Sequence, residues 1–186
     1  MWDDIAGAPQ IAALAVLLQR GFEELYSQWN TRRLLAAGAV EVGRDYYPVV
    51  AVTHLAWIAA IFFLIAPATP IVWLVAALYL ALQPVRYWII ATLGRYWTHR
   101  IITLAGAPVV AGGAYRVLRH PNYAVTVAET FVLPLAFGAW ALAIIMTAVW
   151  IAVLRYKIAL EDSAITPRRA LAAAAPPGDT RRGLAR

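Results

Sequence analysis

The sequence has no cysteine and few charged side chains, and both shortages exclude classes of protein. Without cysteine the chain cannot form disulfides, thiolate nucleophiles or thiolate metal sites. Only 14% of the 186 residues are charged, 62% are hydrophobic and the mean hydropathy is +0.65, values that exclude an ordinary soluble domain. The composition therefore predicts an integral membrane protein, and the length predicts one compact domain.

Five apolar stretches predict an all-α protein with five transmembrane helices, because only helices satisfy their own backbone groups in lipid. The second stretch alone reaches the roughly 20 residues that span a bilayer comfortably. Arg20 and Arg86 are expected to extend the first and third by reaching to the membrane surface. A short segment around Gly138 separates the last two, which predicts a C-terminal helical hairpin. The stretches are 5–18, 47–66, 71–82, 123–137 and 139–154.

The basic residues orient these helices. All sixteen fall on one side of a five-helix arrangement, in the segments after the first, third and fifth stretches. The other side receives Asp3, Asp4 and the uncharged segments 67–70 and 137–140. By the positive-inside rule the basic side is the cytoplasm, with the N-terminus outside and the C-terminus inside. Acidic residues before the first apolar run also argue against a secretory signal.

The chain is predicted to be one membrane domain over residues 1–166, followed by a tail. Within the domain, 95–165 contains most of the polar motifs that could support chemistry. Residues 167–186 are rich in Ala, Pro and Arg, a composition that predicts a basic, disordered tail near anionic headgroups.

Polar groups are concentrated at Arg119-His120-Pro121, where the fourth stretch starts. Proline is favoured at the first position of a helix, so Pro121 predicts that Arg119 and His120 lie at a helix N-terminus. Unpaired N–H groups and the positive end of the helix dipole attract anions there. The alternative is an Arg and a His at the membrane surface without a ligand, but the density of polar groups favours a bound anion.

Within the fourth stretch, Asn122, Thr126 and Glu129 follow at helical spacing and share a face. A carboxyl group so deep in an apolar segment is costly, so Glu129 is expected to face a cavity or a partner. The two alternatives are a functional acid–base group and a structural hydrogen bond to His54 or a tyrosine. His54 is predicted to be an interior histidine with satisfied hydrogen bonds. No second His or Cys lies at ligand spacing, so no metal site is expected.

The fifth stretch is followed by Lys157, Glu161 and Asp162. Lys157 and Glu161 are four residues apart, a spacing that is common for a helix-stabilising salt bridge without further function. Adjacent carboxylates can instead accept hydrogen bonds from the two hydroxyls of a diol. In segment 86–100, Arg residues alternate with aromatic residues. Such a composition could bind nucleic acid, but beside membrane helices it predicts an interfacial belt and a pocket lid.

At this point the motifs resemble those of a known family. The order Tyr115, Arg119-His120-Pro121-Asn122-Tyr123, a hairpin, then Lys157-Ile158-x-x-Glu161-Asp162 resembles the isoprenylcysteine carboxyl methyltransferases and their phospholipid methyltransferase relatives. The N-terminal half, with Asn30-Thr31-Arg32-Arg33, Tyr47-Pro48 and His54, is similar to a bacterial branch that O-methylates alkylpyrones and alkylresorcinols. The resemblance extends over residues 20–165.

The resemblance implies an S-adenosylmethionine-dependent O-methyltransferase in the bacterial cytoplasmic membrane, with its active site facing the cytoplasm. The cofactor-binding residues that it implies are Tyr115, Arg119, His120, Pro121, Tyr123, Glu161 and Asp162. Val125 stands where the family has Gly, and Lys157 and Glu161-Asp162 stand where it prefers Arg and Glu-Glu. The first departure suggests a different acceptor channel. The second loosens the geometry, because Lys cannot make the bidentate contact of Arg.

The acceptor implied is a lipophilic molecule from the bilayer: an alkylpyrone, an alkylresorcinol or a similar polyketide lipid, or a prenylcysteine-like carboxylate. An acidic enol or a carboxylate is already ionised near neutral pH, whereas a phenol needs a base, for which Glu129 or His120 is the candidate. Arg155 or Lys157 would stabilise the anionic oxygen of the acceptor.

Other functions remain open from the sequence. A phospholipid N-methyltransferase shares the motif, although its amine acceptor would be repelled by a cationic site. Reductases on a related scaffold bind a nicotinamide cofactor, but they are usually much longer. A non-enzymatic transporter or lipid-binding bundle would use His54 and Glu129 as a proton path and would leave the polar motif without a role.

Overall fold

Five α-helices and a two-stranded sheet form the fold of the computed structural model, which describes residues 6–107, 110 and 112–174, without the side chains of 165 and 167–174. The mainly helical architecture agrees with the sequence prediction. The helices are α1 (Ala8–Ala36), α2 (Tyr47–Leu64), α3 (Trp73–Leu93), α4 (Pro121–Leu135) and α5 (Trp140–Ala174). The strands are β1 (Val40–Val42) and β2 (Ile101–Thr103). Short 3₁₀ turns lie at Arg44–Tyr46, Gly94–Tyr96 and Gly113–Arg116.

Among the described residues, three helical segments are long and apolar enough to cross a membrane: Arg44–Leu64, Trp73–Tyr96 and Trp140–Ala164. The shortest has 21 residues, which at a rise of 1.5 Å per residue covers about 31 Å, the thickness of a bilayer core. α4 has 15 residues and covers only about 22 Å. The five-span topology and its orientation therefore stay predictions.

The first helix is much longer than the predicted stretch 5–18, because α1 continues to Ala36. Its outward face is apolar as far as Trp29, with exposed side chains at Ile11, Leu14, Leu18, Phe22, Leu25 and Trp29, and basic beyond it, where Arg32 and Arg33 are exposed. Its inward face contributes Ala13 and Val16 to the apolar core and is mainly polar further along, with buried side chains at Arg20, Glu23, Ser27 and Asn30. Apolar residues outside and polar residues inside are the pattern of a helix that contacts lipid on one side and a polar interior on the other.

A buried charge network connects α1, α3 and α4. Glu129 Oε2 lies 2.6 Å from Arg20 Nη2 and 3.1 Å from Arg86 Nη1. Glu23 Oε2 lies 2.7 Å from Arg20 Nη1 and 2.5 Å from Arg86 Nη2. The prediction that Arg20 and Arg86 reach the membrane surface is therefore wrong. They are only 8% and 1% exposed, because two carboxylates inside the bundle neutralise them.

The apolar core and the small sheet lie at opposite ends of the bundle. The core contains Trp57, Ile61 and Leu133, near the start of α1 and the ends of α2 and α4. The sheet lies beyond the end of α1, where β1 pairs antiparallel with β2 and Val40 is opposite Thr103. This sheet was not predicted from the sequence. The sheet fixes the segment just before β2, and that segment helps to form the site.

Helices α4 and α5 are joined by residues 136–139 and pack against each other. Gly138 has a φ of 67°, in the left-handed region that favours glycine after a helix end. The pairing brings the start of α4 beside the second half of α5. α5 continues to Ala174, so residues 167–174 are helical rather than part of a disordered tail. Residues 175–186, the rest of the predicted tail, lie outside the described residues.

Candidate functional site

The polar motif lies where α4 begins. Pro121 is at the first turn of α4 and His120 is its N-cap, as the missing N–H of proline predicts. The preceding turn Gly113–Arg116 places Tyr115 beside this helix start. Gly113 has a φ of 55°, and a Cβ there would lie 2.7 Å from Thr92 Oγ1. The turn therefore requires glycine on both conformational and steric grounds.

Side chains from the start of α4 meet the acidic pair of α5. The Tyr123 hydroxyl donates a hydrogen bond to Glu161 Oε2 at 2.5 Å, and Arg119 Nη2 donates one to Asp162 Oδ1 at 2.8 Å. His120 stacks on Tyr123, with ring centroids 5.4 Å apart, and its Nδ1 lies 3.8 Å from Glu161 Oε2. The fold thus brings together residues that are about forty positions apart in the sequence.

A cavity of about 160 Å³ lies beside this cluster, and we call it the polar cavity. It is lined by five of the predicted cofactor-binding residues, Tyr115, Arg119, His120, Tyr123 and Glu161, together with Tyr96, Thr98, Arg100 and residues 101–104. Val110 also lines it, and its neighbours 108, 109 and 111 lie outside the described residues. Pro121 and Asp162 are not in the wall: Pro121 starts the helix, and Asp162 holds Arg119.

The side chains of the polar cavity include a guanidinium group, a carboxylate and aromatic rings, which are suited to an anionic group, hydroxyl groups and a ring of a ligand. Arg119 and the start of α4 can bind an anion, and Glu161 can accept hydrogen bonds from hydroxyls. His120 Nε2 is buried and completes no hydrogen bond within the described part of the chain, and Asp162 Oδ1 lies 3.5 Å from it. Burial, with a smaller effect of the Glu161 charge, raises the pKa of Tyr115. Its phenol therefore stays neutral.

A second cavity of about 270 Å³ lies among α1, α2, α4 and α5, and we call it the apolar cavity. Much of its wall is formed by Leu17, Val50, Ala51, Leu55, Ile58, Trp150 and Leu154. Leu17 and Leu55 are 40% and 55% exposed on the outside of the bundle, so the cavity opens between α1 and α2. Gly21 also lines the opening, and a Cβ placed there would meet no atom within 4 Å.

The two cavities share a wall. Tyr123 lines both of them. The segment 98–100 contributes to both as well: Thr98 and Arg100 line the polar cavity, whereas His99 lines the apolar cavity. The chain bends at His99 and Arg100, and the Thr98 hydroxyl donates to the Arg100 carbonyl at 2.6 Å, which fixes this short segment between the two cavities. Two molecules, one bound in each cavity, would therefore both contact Tyr123.

Two residues of the apolar cavity, His99 and Glu24, were not identified from the sequence. His99 Nδ1 lies 2.7 Å from Glu24 Oε2, and Gln28 Nε2 donates to the other oxygen of Glu24 at 3.0 Å. Lys157 Nζ donates to the His99 carbonyl at 2.7 Å. The Arg- and aromatic-rich segment was the available signal for His99. No spacing rule links that segment to Glu24, seventy-five positions earlier on α1.

The three predicted catalytic residues are in three different environments. Lys157 lines the apolar cavity, with Nζ 5.3 Å from the centroid of the Tyr123 ring. Arg155 is exposed and lines neither of the two cavities. Two residues apart on a helix means about 200° of rotation, so only one of this pair can face the site. The structure therefore does not place Arg155 where the predicted contact with an acceptor requires it.

Glu129 is in the charge network and outside the walls of both cavities, although Asn122 and Thr126 on the same helix face do line the apolar cavity. Its partners are Arg20, Arg86 and the Gln83 amide, not the His54 or tyrosine that the sequence predicts for a structural role. His54 lines the apolar cavity and packs edge-on against Trp150, with ring centroids 4.5 Å apart. It forms no hydrogen bond within the described residues, contrary to the prediction of a satisfied interior histidine.

The helices and the motif together define a class: a helical membrane protein with a polar binding cluster between its last two helices. The model of the isoprenylcysteine carboxyl methyltransferase (ICMT) family matches residues 73–167, and the chain belongs to this family. Membership implies a methyltransferase. The family is membrane-bound, uses S-adenosylmethionine and acts on membrane-associated substrates.

The chain is also similar to a curated bacterial protein. It is 30% identical over 154 residues to the uncharacterized protein YpbQ of Bacillus subtilis (strain 168). The aligned region covers 81% of this chain and 92% of YpbQ. No solved structure matches the chain.

Proposed function

We propose that the protein transfers the methyl group of S-adenosylmethionine to an oxygen atom of a lipophilic acceptor that enters from the bilayer. The observation that supports this most directly is the pair of cavities, one polar and one apolar, that meet at Tyr123. Methyl transfer is an in-line displacement, so the enzyme has to bring two reactants to one point with water excluded. A shared wall between two unlike cavities is suited to that task.

The polar cavity would hold the methyl donor. Arg119 and the N-terminus of α4 would bind its carboxylate, with Asp162 keeping the guanidinium in place. Glu161 would accept hydrogen bonds from the ribose, since Tyr123 occupies only one of its two oxygens. Tyr115 would pack against the adenine. The donor supplies a methyl group activated by its positively charged sulfur.

The apolar cavity would hold the acceptor, with its alkyl chain leaving between Leu17 and Leu55 into lipid. Lys157 would stabilise the negative charge on the reacting oxygen. The acceptors that this geometry would accommodate are alkylpyrones, alkylresorcinols or similar polyketide lipids, and prenylcysteine-like carboxylates. The site would face the cytoplasm, since the polar cavity is built from the basic segments that the positive-inside rule assigns to that side.

Calorimetric titration of the detergent-purified protein with S-adenosylhomocysteine tests the proposal. Saturable binding is expected, and His120→Ala and Glu161→Gln should each weaken it at least tenfold while helicity stays unchanged. Arg155→Gln changes an exposed side chain of the same helix and is the matched control. Absence of binding to the wild type, also after lipid is added back, would contradict the proposal and favour a non-enzymatic bundle.

The nature of the acceptor is tested separately with a labelled methyl donor. Incorporation of label into an alkylresorcinol or alkylpyrone, but not into phosphatidylethanolamine, is the expected result. Label in the phospholipid instead would identify an N-methyltransferase and contradict the assignment of an oxygen acceptor.

A further inference from the structure

The charges around the apolar cavity balance. Arg20 and Arg86 line it, but each is paired with Glu23 and Glu129. The other cation in its wall, Lys157, is matched by the carboxylate of Glu24, which is also in the wall. The cavity therefore has little net charge with which to attract an anionic acceptor. A neutral hydroxyl acceptor suits it better, and a phenol with an ordinary pKa of about 10 then has to lose its proton inside the site.

The two bases suggested by the sequence are poorly placed to take that proton. Glu129 is held by two guanidinium groups and lines neither cavity. His120 lines the polar cavity, where Glu161 and Asp162 surround its ring. Two histidines remain in the wall of the apolar cavity, His54 and His99. Only His99 has a carboxylate partner among the described residues.

The fold provides a hydrogen-bond partner for the backbone N–H, the carbonyl and Nδ1 of His99, and it leaves Nε2 available. The backbone N–H donates to Ser27 Oγ at 2.7 Å, and the carbonyl accepts from Lys157. The ring lies edge-on to Trp97, with centroids 4.7 Å apart. An ionised Glu24 can only accept hydrogen bonds, so a neutral His99 bears its hydrogen on Nδ1. The lone pair is then on Nε2, which has no hydrogen-bond partner in the part of the chain that the structure describes.

We propose that His99 is the general base that deprotonates a phenolic hydroxyl group of the acceptor, with Glu24 as the residue that positions its ring and stabilises the imidazolium. This inference rests on the proposed function, which supplies the methyl donor. It selects a neutral hydroxyl lipid over a carboxylate as the acceptor class. His99 is next to Thr98 and Arg100 of the polar cavity, so the base is in the shared wall where the methyl group would pass.

The proposed step combines a proton transfer to His99 with transfer of the methyl group to the acceptor oxygen. The acceptor O–H bond breaks and its proton goes to His99 Nε2. The electron pair on the oxygen forms the new oxygen–carbon bond to the methyl group, while the carbon–sulfur bond breaks and its pair stays on sulfur. His99 leaves the step as an imidazolium next to the Glu24 carboxylate, and it returns its proton to solvent when the product departs.

The groups that face His99 from its surroundings favour its neutral form at rest. Burial lowers its pKa, the hydrogen bond to Glu24 on α1 opposes this, and the charges of Lys157 on α5 and Arg86 on α3 lower it further. Tyr47 on α2 and Tyr123 on α4 also line this cavity. A neutral imidazole is the form that can accept a proton, so phenol methylation should fall as the pH drops through the pKa of His99.

The main test compares two acceptors in one variant. His99→Gln should slow methylation of a 5-alkylresorcinol about 10²- to 10⁴-fold, the usual range for loss of a general base. Methylation of a 4-hydroxy-6-alkylpyrone, which is already ionised at neutral pH, should change less than tenfold. Glu24→Gln should slow the resorcinol reaction less, and should shift the acidic limb of its pH profile to lower pH because a carboxylate that raises the pKa of His99 is gone.

A second readout needs no methyl transfer. An alkyl-substituted nitrophenol bound to the protein should ionise at a lower pH than in detergent alone, which its visible phenolate absorbance reports. His99→Gln should remove that shift. S-adenosylhomocysteine titration of the same variant shows whether the polar cavity is intact, and His99→Asn is the second variant if His99→Gln does not fold.

Two results would decide against the base or against the methyltransferase site. Equal rates of His99→Gln and wild type with the resorcinol, or an equal loss for both acceptors with S-adenosylhomocysteine binding retained, would overturn the assignment of a base. Nitrophenol ionisation that depends on His99 in a wild-type protein without affinity for S-adenosylhomocysteine would support the base and refute the methyltransferase site.

Discussion

Tyr123 donates its hydroxyl hydrogen to Glu161 Oε2 at 2.5 Å, so the ring that separates the two cavities is tied directly to the acidic pair of α5. Hydrogen bonds to a carboxylate are stronger than those between neutral groups. This one fixes the shared wall and orients Glu161 at the same time. In the proposed reaction, methyl-donor binding on one side and alignment of the acceptor on the other would both depend on this contact.

Tyr123→Phe removes that contact and keeps the ring. The affinity for S-adenosylhomocysteine should fall about tenfold, because a hydrogen bond to a charged group contributes about 1.5 kcal/mol or more. Calorimetry measures the change. Tyr156→Phe makes the same chemical change on an exposed side chain of α5 and is the control. Unchanged affinity in Tyr123→Phe would show that the hydroxyl does not organise the polar cavity.

Gly21→Phe should block the opening of the apolar cavity without harming the fold. A side chain at this position points into open space, so the ring has room to occupy the passage between α1 and α2. The KM for long-chain acceptors should rise at least tenfold, while S-adenosylhomocysteine affinity stays the same. Gly21→Ala controls for the loss of glycine within a helix. An unaltered KM in Gly21→Phe would mean that the acceptor enters elsewhere.

Glu129→Gln should destabilise the protein rather than remove an acid–base group. Breaking a buried ion pair costs about 3 kcal/mol or more, and here two guanidinium groups lose a shared charge. The Tm in detergent should drop by several degrees. The folded fraction should keep the pH profile of the wild type. A lost acidic limb with an unchanged Tm would instead restore Glu129 as the base.

Lys157→Met and Arg155→Met test which cation of α5 contacts the acceptor. Lys157→Met should lower kcat about 10²-fold, because it removes a positive charge from beside the reacting oxygen. Arg155→Met should leave the rate within about twofold, since its side chain is exposed outside both cavities. Equal losses in the two variants would contradict the placement of these side chains by α5.

The helical class and the polar cluster could be predicted because both depend on local pattern. Proline fixes the first turn of α4 by its own chemistry, and the adjacent carboxylates Glu161 and Asp162 follow the apolar part of α5, so a hairpin of the two helices brings them near that turn. The pairing of His99 with Glu24 could not be predicted in this way. It depends on how α1 packs beside the segment before β2, and neither residue has a local signal that names the other.

The length of α1 was underestimated for a physical reason as well. Arg20, Glu23 and Glu24 end the apolar run, and hydropathy alone then ends the membrane helix at residue 18. Hydropathy adds up residues without regard to direction, whereas the helix separates them by face. Arg20 and Glu23 are buried, and Phe22, Leu25 and Trp29 continue the exposed apolar surface.

The charges of the network become compensated at different times as the chain is synthesised. Arg20 and Glu23 pair across one turn of α1, so these two charges can compensate each other before any later helix is made. Arg86 and Glu129 have no such local partner: each arrives later in a helix of its own and is compensated only on meeting the pair that is already there. A truncated chain that stops before α4 should therefore keep two arginines against the single carboxylate of Glu23, with one buried positive charge uncompensated until Glu129 arrives.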